Sequence, residues 1–186
     1  MVPVMSLWLP ILLSAVIVFV ASFIIHMMLR YHRSDFAGVA AEDELMDAVR
    51  KHNLAPGDYM VPRAGSPEAM KSTQYQEKVK KGPVLVMTVF PGGGLNMTPQ
   101  LVQWFLYCVV VSVFAAYVAG RAVPAGTEYL KVFRYAGVTA FTAYSLALWQ
   151  DSIWYRRKVS TTIKNNIDGL IYGLLTAGTF GWLWPR

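Results

Sequence analysis

The C-terminal stretch IDGLIYGLLTAGTFGWLW, residues 167–184, decides how this chain is read. At helical spacing Gly169, Gly173, Ala177 and Gly181 fall four residues apart, so one stripe of the helix carries almost no side chain. In lipid there is little hydrophobic force between helices, and small residues at every fourth position let two backbones approach and gain van der Waals contact. The stripe predicts a membrane helix packed tightly on another helix. It points to packing before chemistry.

Composition agrees. Of 186 residues, 55% are hydrophobic and 15% charged, whereas about a quarter are charged in an average soluble domain. Four segments have the length and apolar content of a span: 7–29, 101–120, 132–148 and 167–184. The third is the shortest and most polar, with Thr139, Thr142 and Ser145. The first lacks the basic leader of a secretory signal and its apolar run is longer than a signal core, so it reads as a retained anchor. The expected fold is an all-α membrane protein with four transmembrane helices and a cytoplasmic α+β-like loop between helices 1 and 2. Residues 1–33 hold helix 1 and its basic exit, 34–99 the loop, and 100–186 helices 2 to 4. The single cysteine, Cys108, lies inside the second span, which excludes an intrachain disulfide and suits a small buried apolar residue.

The net charge of +6 could suggest nucleic acid, but its distribution suggests orientation in a membrane. The loop after helix 1 carries nine Lys and Arg, the next loop three, the third four, and the C-terminus Arg186 alone. By the positive-inside rule the long loop is cytoplasmic and both termini are periplasmic. The expected surroundings are a lipid bilayer and a membrane-protein partner or a second copy, with no nucleic acid.

Within the loop, residues 40–54 place acids before bases, which suits a helix dipole. Residues 67–81 read as a second helix with Ser66 as its N-cap. The β-branched run 84–90 reads as a short strand, with residues 59–61 as a possible pairing partner. Pro91-Gly92-Gly93-Gly94 resembles a phosphate loop only in its glycines, since no Lys-Ser/Thr follows. Helix 2 opens at Thr98-Pro99, with proline at the first helical position.

Few residues carry chemistry. Asp151 and Asp168 lie near the cytoplasmic ends of spans, where they could handle a proton or cation or pair with Arg156, Arg157 and Lys158 to fix helix ends. Asp168 is expected in the first turn of its helix. His26 is the one histidine inside a span and could ligate a haem or pigment, but no second histidine accompanies it there. His32 and His52 are expected in solvent. Metal-ligand spacing, a nucleophile elbow and paired catalytic acids are absent, so no cofactor, metal or enzymatic activity is expected.

The segments LVQWFLYC (101–108), APGDYMVP (55–62) and DGLIYGLLTAGTFGWLWP (168–185) resemble a family of bacterial four-span membrane proteins to which no activity is assigned. The resemblance implies a bacterial inner-membrane origin and transfers no functional residue. The expected function is that of a non-enzymatic accessory or structural subunit packing on membrane partners or itself. The alternative is a small oligomeric ion or solute transporter or channel.

Overall fold

The computed structural model describes residues 1–94 and 96–186. In chain order the helices are α1 (Trp8–Phe23), α2 (Glu42–Arg50), α3 (Pro67–Lys71), α4 (Thr73–Lys81), α5 (Thr98–Ala122), α6 (Tyr129–Ser145), α7 (Trp149–Trp154) and α8 (Val159–Trp182). Two strands, β1 (Gly57–Val61) and β2 (Leu85–Val89), make a single sheet. The chain is mostly helical and divides into two compact units, Met1–Ala37 with Asn96–Arg186, and Gly38–Leu95.

In the first unit α1, α5, α6 and α8 pack in a ring, each on the next, and α8 closes back on α1. The interior is built from small side chains, with Ala15, Ala115, Ala116, Ala119, Ala136, Ala140 and Ala177 fully buried. Small residues inside a helix ring let the backbones come close. The closest approach is between α6 and α8. A Cβ added at Gly173 would stand 3.0 Å from the Phe141 Cβ and 3.1 Å from the Phe141 backbone nitrogen. One at Gly137, on α6, would stand 2.8 Å from the Ala177 Cβ, and one at Gly181 would stand 2.7 Å from the Tyr129 ring. At Gly169 it would overlap the Ser145 hydroxyl. The structure thus lays the small-residue stripe against α6 of the same chain.

Two apolar clusters fill the ring. One joins Val2, Leu7, Ile11, Val123, Val132, Phe180 and Trp184, and the other Ala15, Val18, Ile25, Val111, Tyr144 and Tyr172. Outward faces are apolar too, including Leu12, Val16 and Val20 on α1, Leu106, Val110 and Phe114 on α5, and Ile167, Leu170 and Leu174 on α8.

Among the described residues, two helices are long and apolar enough to cross a membrane, Val4–Met28 and Thr98–Ala122. The helix α6 has 17 residues, and α8 has 24 but opens on a polar run through Ser160, Lys164 and Asn166. That run is helical because it has partners inside the unit. Thr161 and Thr162 are buried, and the Ser152 and Thr162 hydroxyls lie 2.6 Å apart. The helix therefore begins at Val159, well before residue 167. Asp168 sits in its interior rather than in its first turn, which corrects the sequence expectation.

The second unit pairs β1 with β2 antiparallel, Gly57 opposite Val89 and Val61 opposite Leu85. The strand expected within 84–90 is β2, and the segment containing Tyr59 is its partner. The single helix expected over 67–81 is broken. Ser66 caps α3 by accepting from the Ala69 amide at 3.1 Å, and Ser72 adopts an extended backbone and accepts from the Tyr75 amide at 3.3 Å. A serine side chain that bonds the backbone two or three residues on offers the chain an alternative to continuous helix. Gly82, with φ at +62°, ends α4.

Candidate functional site

The first unit holds a polar centre at one end of its ring, organised by Asp168 on α8. This carboxylate is 2% exposed. Its partners arrive on the segment leaving α1. That helix ends in a π-helical turn, Ile24–Met28, followed by a tight 3-10 turn, Tyr31–Ser34. Widened turns of this kind re-aim side chains and recur at functional sites. Tyr31 donates its hydroxyl to Asp168 Oδ1, and His32 Nε2 lies 2.8 Å from Oδ2. The other ring nitrogen of His32, Nδ1, lies 2.6 Å from Asp35 Oδ2.

Lysines from α8 and its N-cap strap this segment down. Lys164, one helical turn before Asp168, donates to Asp35 Oδ1 and to Ser34 Oγ, each at 2.8 Å. Lys158 donates to the Ser34 carbonyl at 3.1 Å. Burial works against the Asp35 charge, but hydrogen bonds from Lys164 and His32 outweigh it and hold the carboxyl below its ordinary range.

His26, on the π turn, stacks on His32 with centroids 4.5 Å apart and planes 9° from parallel. Its Nδ1 lies 3.0 Å from the Ser22 carbonyl, an acceptor, so Nδ1 donates there. Donor atoms of His26, His32 and Asp168 lie within 4.8 Å of one another.

Beside this cluster is a pocket of about 370 Å³ lined by His26, Trp104, Tyr107, Tyr144, Asp168 and Tyr172 among others. Its aromatic walls interlock. Tyr144 and Tyr172 meet at 5.4 Å, and Trp104 lies about 6 Å from both. Trp104 donates to Ser22 Oγ at 2.8 Å, and Tyr107 to the Ala143 carbonyl at 2.7 Å. Tyr144 and Tyr172 differ. Both are buried, and neither hydroxyl has a hydrogen-bond partner among the described residues; only the Cys108 thiol, a weak acceptor, neighbours Tyr144. Orphaned buried hydroxyls are uncommon and call for a missing partner.

The sequence singled out Asp168 and His26, and the structure brings them to one pocket. Asp151 is elsewhere, on α7, half exposed and 3.3 Å from Arg157. The pairing of Asp168 with Arg156 to Lys158 does not occur. Its partners are Tyr31 and His32, because its position inside α8 turns it toward α1. His32, expected in solvent, is mostly buried between two carboxylates. Tyr31, Asp35, Lys164, Tyr144 and Tyr172 were missed as site residues. One signal was available, since Lys164 and Asp168 are four apart on one helix and share a face. No family model matches the chain, and neither the curated proteins nor the solved structures contain a significant match.

Proposed function

We propose that this chain is a four-span bacterial inner-membrane protein that acts as a non-enzymatic binding subunit and holds a small ligand in the pocket beside Asp168. The observation that carries the reading is a buried carboxylate and two buried tyrosines lining one pocket, with both tyrosine hydroxyls lacking hydrogen-bond partners among the described residues. A helix-end ion pair needs neither. Ionisable groups within membrane helices are costly and mark binding or transport by default. The aromatic walls would grip an apolar body.

The four-span arrangement is supported by the apolar outward faces of α8 and α6 as well as α1 and α5, with Ile167, Leu170, Leu174 and Val138 all facing out. Soluble monomers rarely expose so much contiguous apolar surface. The basic count argues for cytoplasmic residues 38–95 and periplasmic termini. In a Cys108→Ala background, Ala125→Cys should react with a membrane-impermeant maleimide added to sphaeroplasts. Gly65→Cys should react only after permeabilisation. The reverse pattern would invert the topology.

The glycine row that suggested a partner interface lies against α6 of the same chain. Transport through paired aspartates loses Asp151. The test of binding is native mass spectrometry of the full chain released from its own membrane in mild detergent. Wild type should carry a non-lipid adduct, and Asp168→Ala should lose it. Tyr172→Phe should raise stability by about 1 kcal/mol or leave it unchanged, because an unsatisfied buried hydroxyl is removed. Wild type without any adduct overturns the proposal.

A further inference from the structure

We infer that His26, His32 and Asp168 form a binding site for a divalent transition-metal ion, Zn²⁺ above all. The inference rests on the binding role assigned to this pocket and names one ligand class for it. Two imidazoles and one carboxylate are a donor set suited to zinc, and three protein ligands with a free fourth position are the pattern of an open zinc site.

Each ligand is already oriented from behind. In metal sites a histidine that binds through one nitrogen commonly donates the other N–H to a carboxylate or a backbone carbonyl, which fixes the tautomer and raises its basicity. His32 has Asp35 behind Nδ1 at 2.6 Å, and His26 has the Ser22 carbonyl behind Nδ1 at 3.0 Å. Both Nε2 atoms are then the coordinating atoms. Asp168 is steadied through Oδ1 by Tyr31, which leaves Oδ2 for the ion. His32 Nε2 lies 2.8 Å from that same Oδ2, so two of the donors already meet.

The distances are close to what an ion needs. Tetrahedral donors about 2.0–2.1 Å from zinc lie roughly 3.3 Å from one another. One donor atom from each of the three residues lies within 4.8 Å of the others, and His26 is the exposed member. The fourth position falls to the pocket that His26 and Asp168 line.

The test uses the full chain in detergent, stripped with a chelator and titrated with Co²⁺ and then Zn²⁺. Co²⁺ should give the visible d–d bands of a tetrahedral site at one equivalent, and Zn²⁺ should abolish them. Asp35→Asn, on the residue behind His32, should weaken binding by about 10–100-fold, the range found when such supporting groups are removed, and His26→Gln, which deletes a ligand, should weaken it at least as much. Unchanged thermal unfolding of the ion-free variants verifies that both fold. Asp151→Asn should bind as wild type does. The inference is overturned if wild type gives no bands and binds no Zn²⁺, or if His26→Gln and Asp35→Asn bind normally. A wild-type protein that binds no metal yet keeps an organic adduct overturns this inference alone. Absence of both overturns the binding role as well.

Discussion

Gly173→Leu is expected to drive α6 away from α8 and to destabilise the first unit by at least the roughly 1–3 kcal/mol typical of overpacking a core. The reason is where the new atoms would go. A Cβ alone at this position would stand 3.0–3.2 Å from the Phe141 Cβ, nitrogen and Cα, and two of those atoms are backbone. Backbone cannot rotate aside as a side chain can, so the helices must separate. Separation costs more than the one contact. Gly137 against Ala177, and Gly181 against Tyr129, belong to the same seam and would open with it. Gly173→Ala should show a smaller loss of the same sign. Unfolding in graded detergent denaturant, followed by circular dichroism, reads both variants. A Gly173→Leu protein as stable as wild type would mean that the seam is not what joins these helices.

The second large effect is expected at Asp168. Asp168→Ala removes the acceptor for the Tyr31 hydroxyl and for His32 Nε2, and both donors remain where they were. Breaking a buried charge-assisted pair by deleting one partner costs about 3–5 kcal/mol, because the other partner stays desolvated. Asp168→Asn keeps the shape and an acceptor oxygen, and so should recover most of that stability. It removes the charge, and ligand occupancy should fall as far as in the alanine variant. The two variants together separate a carboxylate that merely fastens a loop from one that binds. If asparagine restored occupancy along with stability, the charge would have no part in binding.

Much of the helical frame was legible in the sequence because long apolar runs leave few alternatives, and each of the four expected segments falls within or along a helix. The strand β2 was legible from β-branched residues between breakers, and residues 59–61 were named as its possible partner. The site was less so, for two physical reasons. First, the polar opening of α8 looks like a loop until one sees that Ser152 and the segment after α1 supply its partners, and a helix start misplaced by two turns moved Asp168 from the helix interior to its end. Second, the run Arg30-Tyr31-His32-Arg33 reads as an ordinary basic exit from a membrane. Only the π turn, which no composition announces, swings Tyr31 and His32 back over α8. Asp151 and Asp168 looked equivalent because both are acids near helix ends, yet burial separates them.

The closure of α8 onto α1 also sets an order of events during synthesis. The first helix of the ring to leave the ribosome has one of its two flanking neighbours made last, so His26 and His32 must wait for the whole intervening chain before Asp168 reaches them. The centre is therefore a checkpoint on completion: a chain stopped short of its final helix keeps its greasy exterior and has two imidazoles with nothing to hold.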